Sequence, residues 1–293
     1  MAKVDDPVRR AALSLLRGVR EGVALSDQAG RLAGLDPAGR ARAGRLAAET
    51  LRHAGRADAV LAALVDRRPR PDVGDILRMA VVEMLHLGEA PHGVVNAAVG
   101  LVRGLGPRGR AAAGMANAVL RKVAVAQGWD ALPPQRMPDW LRAPVAAAWG
   151  DATARAIEAA HQAGAPLDLT PKSIDAPGEV LPTGSHRLAA GTQVSALPGY
   201  DTGDWWVQDA AAALAVRVLD PRPGERILDL CAAPGGKTLQ LAAAGADVTA
   251  VDISEARMAR VQENLTRCGL TARLVVADAL DYRPEAAPDA ILL

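Results

Sequence analysis

The 293-residue sequence contains no Phe, and its five Trp and two Tyr make up only 2% of the chain. All five Trp fall between Trp129 and Trp206, so any core before that stretch is built from Ala, Leu, Val and Met. Cores of that composition are usually helical. Cysteine is equally scarce. Cys231 and Cys268 are too few for a disulfide framework or for a zinc site made mainly of thiolates, and they fit a reducing cytoplasm. No apolar run of about 18 residues occurs, and the opening MAKVDDPVRR carries charges where a signal peptide needs an apolar stretch. These absences predict a soluble, unexported, cytoplasmic protein that makes no membrane contact. His53, His86, His92, His161 and His186 are scattered, with none in H-E-x-x-H or similar spacing, so no metal site is expected.

What is present is ordinary in bulk and uneven in distribution. Apolar residues are 50% and charged residues 23%, which excludes a wholly disordered or fibrous chain and, at this length, favours two domains. Residues 1–128 hold 20 Lys+Arg against 12 Asp+Glu, a net of +8, whereas residues 129–293 hold 14 against 21, a net of −7. A basic front half suggests contact with a polyanion; an Arg-rich solvated helical surface is the alternative.

From Val8 to about Gln127, apolar residues recur at three- and four-residue spacing, with Pro, Gly or Asp at the breaks. That pattern predicts a compact bundle of helices. Asp36 before Pro37 reads as an N-cap with Pro at the first helical position. Residues 129–204 are rich in Pro, Gly and Trp, with short strand-like pieces at 167–169 and 193–196, and predict a linker with a small mixed subdomain. From Trp205 onward helix and strand alternate: a helix to about Leu219, then strands at 226–230, 248–252, 273–277 and 290–293, separated by helices from Thr238 and over 255–268. Such alternation implies a parallel sheet. The expected domains are therefore 1–128, 129–204 and 205–293.

The chemistry concentrates in LDLCAAPGGKT, Leu228 to Thr238. A Gly-rich turn between a buried strand and a helix puts backbone N–H groups and a positive helix terminus at the carboxyl edge of the sheet, where ligands bind. Asp252, ending the next strand, is placed to accept hydrogen bonds from ribose hydroxyls, and Asp278, after the third, to meet an adenine amino group. Neither G-x-G-x-x-G nor G-x-x-x-x-G-K-[ST] is present: five places before Gly236 stands Cys231, not Gly. A nucleoside ligand without a pyrophosphate is thereby favoured, and S-adenosylmethionine (SAM) is the common one.

LDLCAAPGGKT resembles the SAM-binding signature of the RNA cytosine-C5 methyltransferases. The likeness extends to VQDAAAAL at 207–214 and LPGYDTGDWW at 197–206. Further upstream, APHGVVNAAV at 90–99, NAVLRKV at 117–123 and MPDWL at 137–141 resemble the NusB-like domain, and the junction after it, of the Sun/RsmB-type small-subunit ribosomal RNA methyltransferase family. The resemblance implies an all-α NusB-like N-terminal domain followed by an α/β Rossmann-like methyltransferase domain, SAM as cofactor, and small-subunit ribosomal RNA as partner. By matching positions, Cys231, Ala232, Ala233, Pro234, Gly235, Gly236 and Lys237 hold the methionine part of SAM, Asp252 the ribose and Asp278 the adenine. It further implies that a Cys thiolate adds to the ring carbon beside C5, so that the cytosine attacks the methyl group.

The sequence departs from that family in two places. The family's nucleophilic Cys lie in an Asp-Ala-Pro-Cys and a Thr-Cys-Ser segment, neither of which is among these residues. No catalytic residue is thus expected here, and the chain reads as a member cut short, with an incomplete sheet and unable to methylate alone. Where relatives often carry Arg and Asn in a short strand, LDLTPK at 167–172 offers Lys172 as a substitute phosphate contact. Trp205 and Trp206 suit a core or base stacking. Arg40, Arg42, Arg45, Arg52 and Arg56 form a basic array that fits RNA phosphates. Two other readings stay open: a non-catalytic RNA-binding or regulatory module that retains a SAM pocket, and a methyltransferase acting on protein or small molecules.

Overall fold

The computed structural model describes residues 6–172, 176–189 and 192–293; the first five residues of the charged start lie outside them. The chain divides into two compact units, Met1–Gly164 and Ala165–Leu293. The expected boundaries after Gly128 and Asp204 fall inside these units. The reason is visible in the elements: the stretch 129–204 supplies two helices to the first unit and three strands to the second.

The first unit is all helical: α1 (Pro7–Arg20), α2 (Pro37–Arg52), α3 (Ala54–Ala62), α4 (Pro71–Leu85), α5 (Pro91–Gly104), α6 (Pro107–Val123), α7 (Asp139–Trp149) and α8 (Asp151–Ala163). Five of these begin with Pro, whose fixed φ suits the first helical position and whose missing N–H would have no intrahelical partner there. Asp6 and Asp36 cap two of them, accepting from Arg9 N at 3.0 Å and Gly39 N at 2.8 Å. Helix α4 is the axis of the unit, buried continuously from Val73 to Met84 apart from half-buried Arg78. Around it the core is made of Leu, Val and closely approaching Ala, with Trp129 as its one aromatic residue. At Gly109 a Cβ would lie 2.1 Å from Val102 O, so α5 and α6 approach as closely as they do only because that side chain is absent.

Charges tie α1 to the axis. Arg9 Nε donates to both carboxylate oxygens of buried Glu83, at 2.8 and 3.0 Å, and Arg17 and Arg20 pair with Asp72. Burial still pushes the Glu83 carboxyl above its ordinary range, against the pull of Arg9.

The second unit holds two sheets. The smaller is antiparallel, with β1 (Leu167–Pro171), β2 (Glu179–Val180), β3 (His186–Leu188) and β4 (Trp205–Val207) in the order β2-β3-β1-β4. The strand-like piece at 193–196 is instead a short 3-10 turn, Val194–Ala196. Helix α9 (Ala210–Leu219) comes next in the chain. Asp168 on β1 fastens the small sheet to the start of that helix: its carboxylate accepts from Arg187 Nε and Nη2 at 2.8 and 2.9 Å and from Ala210 N at 3.2 Å.

Beyond α9 the chain alternates as β5 (Arg226–Leu230), α10 (Gly236–Ala243), β6 (Asp247–Asp252), α11 (Glu255–Cys268), β7 (Arg273–Val276) and β8 (Ala290–Leu292). These strands form an all-parallel sheet in the order β7-β6-β5-β8. Helix α11 starts at the Ser254 cap and ends at Gly269, whose φ of 61 is the left-handed conformation Gly adopts without strain.

Candidate functional site

Because all four strands of the second sheet run the same way, the carboxyl ends of β5, β6 and β7 share one edge. Every residue expected to hold a cofactor is on it: 231–237 follow β5, Asp252 ends β6, and Asp278 comes shortly after β7. Strand β5 has β6 on one side and β8 on the other, so the chain order reverses there. The crevice at such a reversal is where open α/β sheets take ligands.

The turn after β5 is shaped by backbone conformations that side chains disfavour. Cys231 has φ 58, and Gly235 has φ 103 with the site of a Cβ 3.1 Å from Val261 Cγ1. Gly236 opens α10, and its N-cap, Gly235, supplies no side-chain acceptor. The first amides and the positive end of that helix therefore open on the carboxyl edge, a setting that favours a ligand carboxylate. Lys237 reaches the same edge, 3.4 Å from Leu293 O.

Asp252 is buried and braces the turn. Its Oδ2 accepts from Ala233 N at 3.1 Å and its Oδ1 from Ser254 N at 2.9 Å. Each carboxylate oxygen keeps a further lone pair for a ligand hydroxyl. Asp278 is exposed and accepts from Leu280 N at 2.9 Å. Sequence reasoning missed two supports of this edge. Arg257 donates to Ala233 O at 2.6 Å, and Asp229, 1% exposed, accepts from Thr238 Oγ1 at 2.5 Å. Burial, with repulsion from Asp252, holds the Asp229 carboxyl above its ordinary range. Exposed Ile253 and Leu280 add apolar surface beside the two outer acids; the signal in the sequence was an apolar residue one or two places after each acid.

Cys268 is buried at the end of α11, and burial pushes its thiol up. Cys231 is exposed, in the turn after β5.

Several expected RNA contacts are corrected by the geometry. Lys172 is not free: its ammonium donates to Cys268 O at 2.6 Å, closing the end of α11. For Trp205 and Trp206 the core reading holds and the stacking one does not: both are buried, and Trp206 packs in one cluster with Ala232, Leu239 and Val261. Arg56 is buried, with its guanidinium 4.3 Å over the Trp129 ring, and leaves the basic array. Arg52 pairs with Glu49. Arg40, Arg42 and Arg45 remain exposed on α2, with Arg42 3.2 Å from Glu89. The expectation of no metal site also meets a contrary arrangement: Glu49, His53 and His86 place one ligand atom each within 4.8 Å of one another.

Residues 6–125 match the NusB family model, and residues 216–293 match the model described as 16S rRNA methyltransferase RsmB/F. The front of the chain is thus similar to NusB-family proteins, and its last part to the RsmB/F methyltransferases. All of the cofactor-edge residues lie inside the RsmB/F segment.

Ribosomal RNA small subunit methyltransferase B of Yersinia pseudotuberculosis (serotype O:1b, strain IP 31758) is 48% identical over 112 residues, which are 38% of this chain and 26% of that protein. The protein of the same name from Yersinia pestis matches to the same extent. The match thus spans about a quarter of the length of these relatives. The crystal structure of PH0851 aligns with a TM-score of 0.64 at 20% identity, covering 94% of this chain and 70% of that one. At that identity it shows the fold alone, in keeping with a NusB-like helical region followed by an RsmB/F-type α/β domain. Among the described residues no helix is long and apolar enough to cross a membrane.

Proposed function

We propose that this chain is the SAM-binding and RNA-contacting part of a cytoplasmic enzyme that transfers a methyl group to carbon 5 of a cytosine in small-subunit ribosomal RNA. The observation that carries the reading is the meeting of an uncapped helix N-terminus, the Gly235-Gly236 turn and the Asp252 carboxylate at the point where strand order reverses. In this reading residues 231–237 hold the methionine moiety, the amides of α10 facing its carboxylate. Asp252 holds the ribose hydroxyls, and Asp278 with Ile253 borders the adenine. SAM supplies a methyl group on a positively charged sulfur. The cytosine becomes nucleophilic at C5 once a thiolate has added to the neighbouring carbon; methyl transfer, loss of the C5 proton and departure of the thiolate complete the reaction. Cys268 is buried and Cys231 occupies the cofactor turn, so the reading assigns the nucleophile to a thiol outside residues 1–293.

Calorimetric titration with SAM tests the site. One equivalent binds, and Asp252→Asn, which keeps one accepting oxygen for the turn but removes the charge, weakens binding by about ten- to a hundredfold, the worth of a hydrogen bond to a charged group. Unchanged affinity in Asp252→Asn removes the ribose assignment. A radiolabelled methyl-transfer assay on unmodified ribosomal RNA tests the chemistry: residues 1–293 alone give no turnover, and turnover would mean that one of the two thiols present is the nucleophile after all. A module that binds RNA and SAM without chemistry is the competing reading, favoured by the placement of both thiols. It is distinguished by whether the full-length protein methylates.

A further inference from the structure

His53 lies between α2 and α3, and its side chain is 1% exposed. Among the described residues neither of its ring nitrogens has a hydrogen-bond partner. A buried N–H left unpaired costs about 1–3 kcal/mol and needs a physical reason. His86, which caps the end of α4, brings its ring centroid to 3.9 Å from that of His53. One turn before His53 on α2, Glu49 directs Oε2 to the same place, 3.6 Å from His53 Nε2 and 3.4 Å from His86 Nε2. The first separation is too long for a hydrogen bond. Both are close to the ligand-to-ligand edge, about 3.4 Å, of a tetrahedron whose bonds are about 2.0–2.1 Å, as in zinc sites with nitrogen and oxygen donors.

We propose that Glu49, His53 and His86 form a binding site for a divalent transition-metal ion of the zinc class. Two imidazoles and a single carboxylate suit such an ion and not Mg²⁺ or Ca²⁺, which take oxygen donors. The carboxylate is already oriented, because Glu49 Oε1 accepts from Arg52 Nη1, the kind of outer contact that fixes a metal ligand. On the inner side the Trp129 ring lies 5.9 and 6.5 Å from the two imidazoles. His86 is 34% exposed, which leaves an entry path and a fourth position for water.

The nearby charges do not forbid a cation. Arg52 is paired with Glu49, and Arg56 donates to Trp129 O and stacks over its ring. His53 and His86 are the C-caps of α2 and α4, and His53 is also the N-cap of α3, so the positive end of α3 offsets the negative end of α2, and the negative end of α4 is left facing the site. The ion would join those two helix ends, which are far apart in sequence, and stabilise the helical unit by binding only its folded form.

The test uses the 293-residue protein stripped with a chelator, then titrated with Zn²⁺ by calorimetry and with Co²⁺ by visible absorption. The expected result is one ion per chain, the intense d–d absorption of four-coordinate Co²⁺, and a higher unfolding midpoint with Zn²⁺. Glu49→Gln and the half-exposed His86→Ala should each weaken binding roughly tenfold or more while keeping the helical circular dichroism of the wild type. Absence of one-to-one binding, or equal binding by wild type and both variants, overturns the proposal. If a variant fails to fold, the wild-type Co²⁺ spectrum decides: weak octahedral bands count against the site and intense tetrahedral bands support it.

Discussion

A few side chains act at a distance from the chemistry, and Asp168 is the clearest. Its buried carboxylate takes three donors from two elements, and the Arg187 guanidinium holds its pKa below the ordinary range. A lowered carboxylate pKa adds stability that is fully present above the unfolded value, about 4, and is lost as pH falls through the folded one. Asp168→Asn cannot accept from both Arg187 nitrogens, so it should cost about 1–3 kcal/mol at pH 7. The deficit should narrow as the pH drops below about 4 and the wild-type carboxylate takes up its proton. Chemical denaturation of both proteins at about pH 7 and about pH 3 measures this. A deficit of the same size at both values would mean that the missing interaction is packing and not charge.

Between single residues and the whole chain, the strand-turn-helix element β5–α10 depends on the side chains beneath it. Trp206 on β4 fills the space under Ala232 and Ala233 and donates through Nε1 to Gln208 Oε1 at 2.9 Å. Gln208 in turn donates to Gln240 Oε1 on α10 at 2.6 Å. The antiparallel sheet is therefore tied to the Gly-rich turn and α10 through Trp206 and Gln208, and Asp168, Lys172 and Arg267 are its further ties to α9 and α11. Trp206→Ala should cost about 3–5 kcal/mol, as expected for truncating a buried aromatic residue. It should also weaken SAM binding in calorimetry although the residue touches no ligand. Loss of stability with SAM affinity intact would separate the antiparallel sheet from the site.

On the scale of the molecule, charge follows the two units. Residues 1–164 carry 23 Lys+Arg against 16 Asp+Glu, a net of +7, and residues 165–293 carry 11 against 17, a net of −6. Ion pairs consume part of the positive excess: Arg9, Arg17, Arg20, Arg52 and Arg78 all face carboxylates. On α2, Arg40 and Arg45 are exposed, as is Arg42, which is shared with Glu89. Replacing Arg42 and Arg45 by Glu should weaken RNA binding and reduce the slope of log affinity against log salt by about 2, roughly one for each phosphate no longer neutralised. An unchanged slope in a filter-binding series would place the RNA surface elsewhere.

The sequence by itself determined the features that are written locally. The helix start at Pro37 follows from its fixed φ behind the Asp36 cap, the all-α and then α/β order from hydrophobic spacing, and the tight turn at 231–237 from Gly235 and Gly236 between a buried strand and a helix. Each depends on residues a few places apart, so it can be read along the chain. The tertiary structure alone decided which distant groups meet. Packing of α2 against α4 brought Glu49 and His53 to His86, folding of Trp129 against Arg56 turned one Arg of the basic array into a core group, and closure of the small sheet on α11 set Lys172 on a carbonyl. No local pattern encodes those meetings, because they depend on which faces of separate elements are buried together, and that is fixed only when the whole unit has packed.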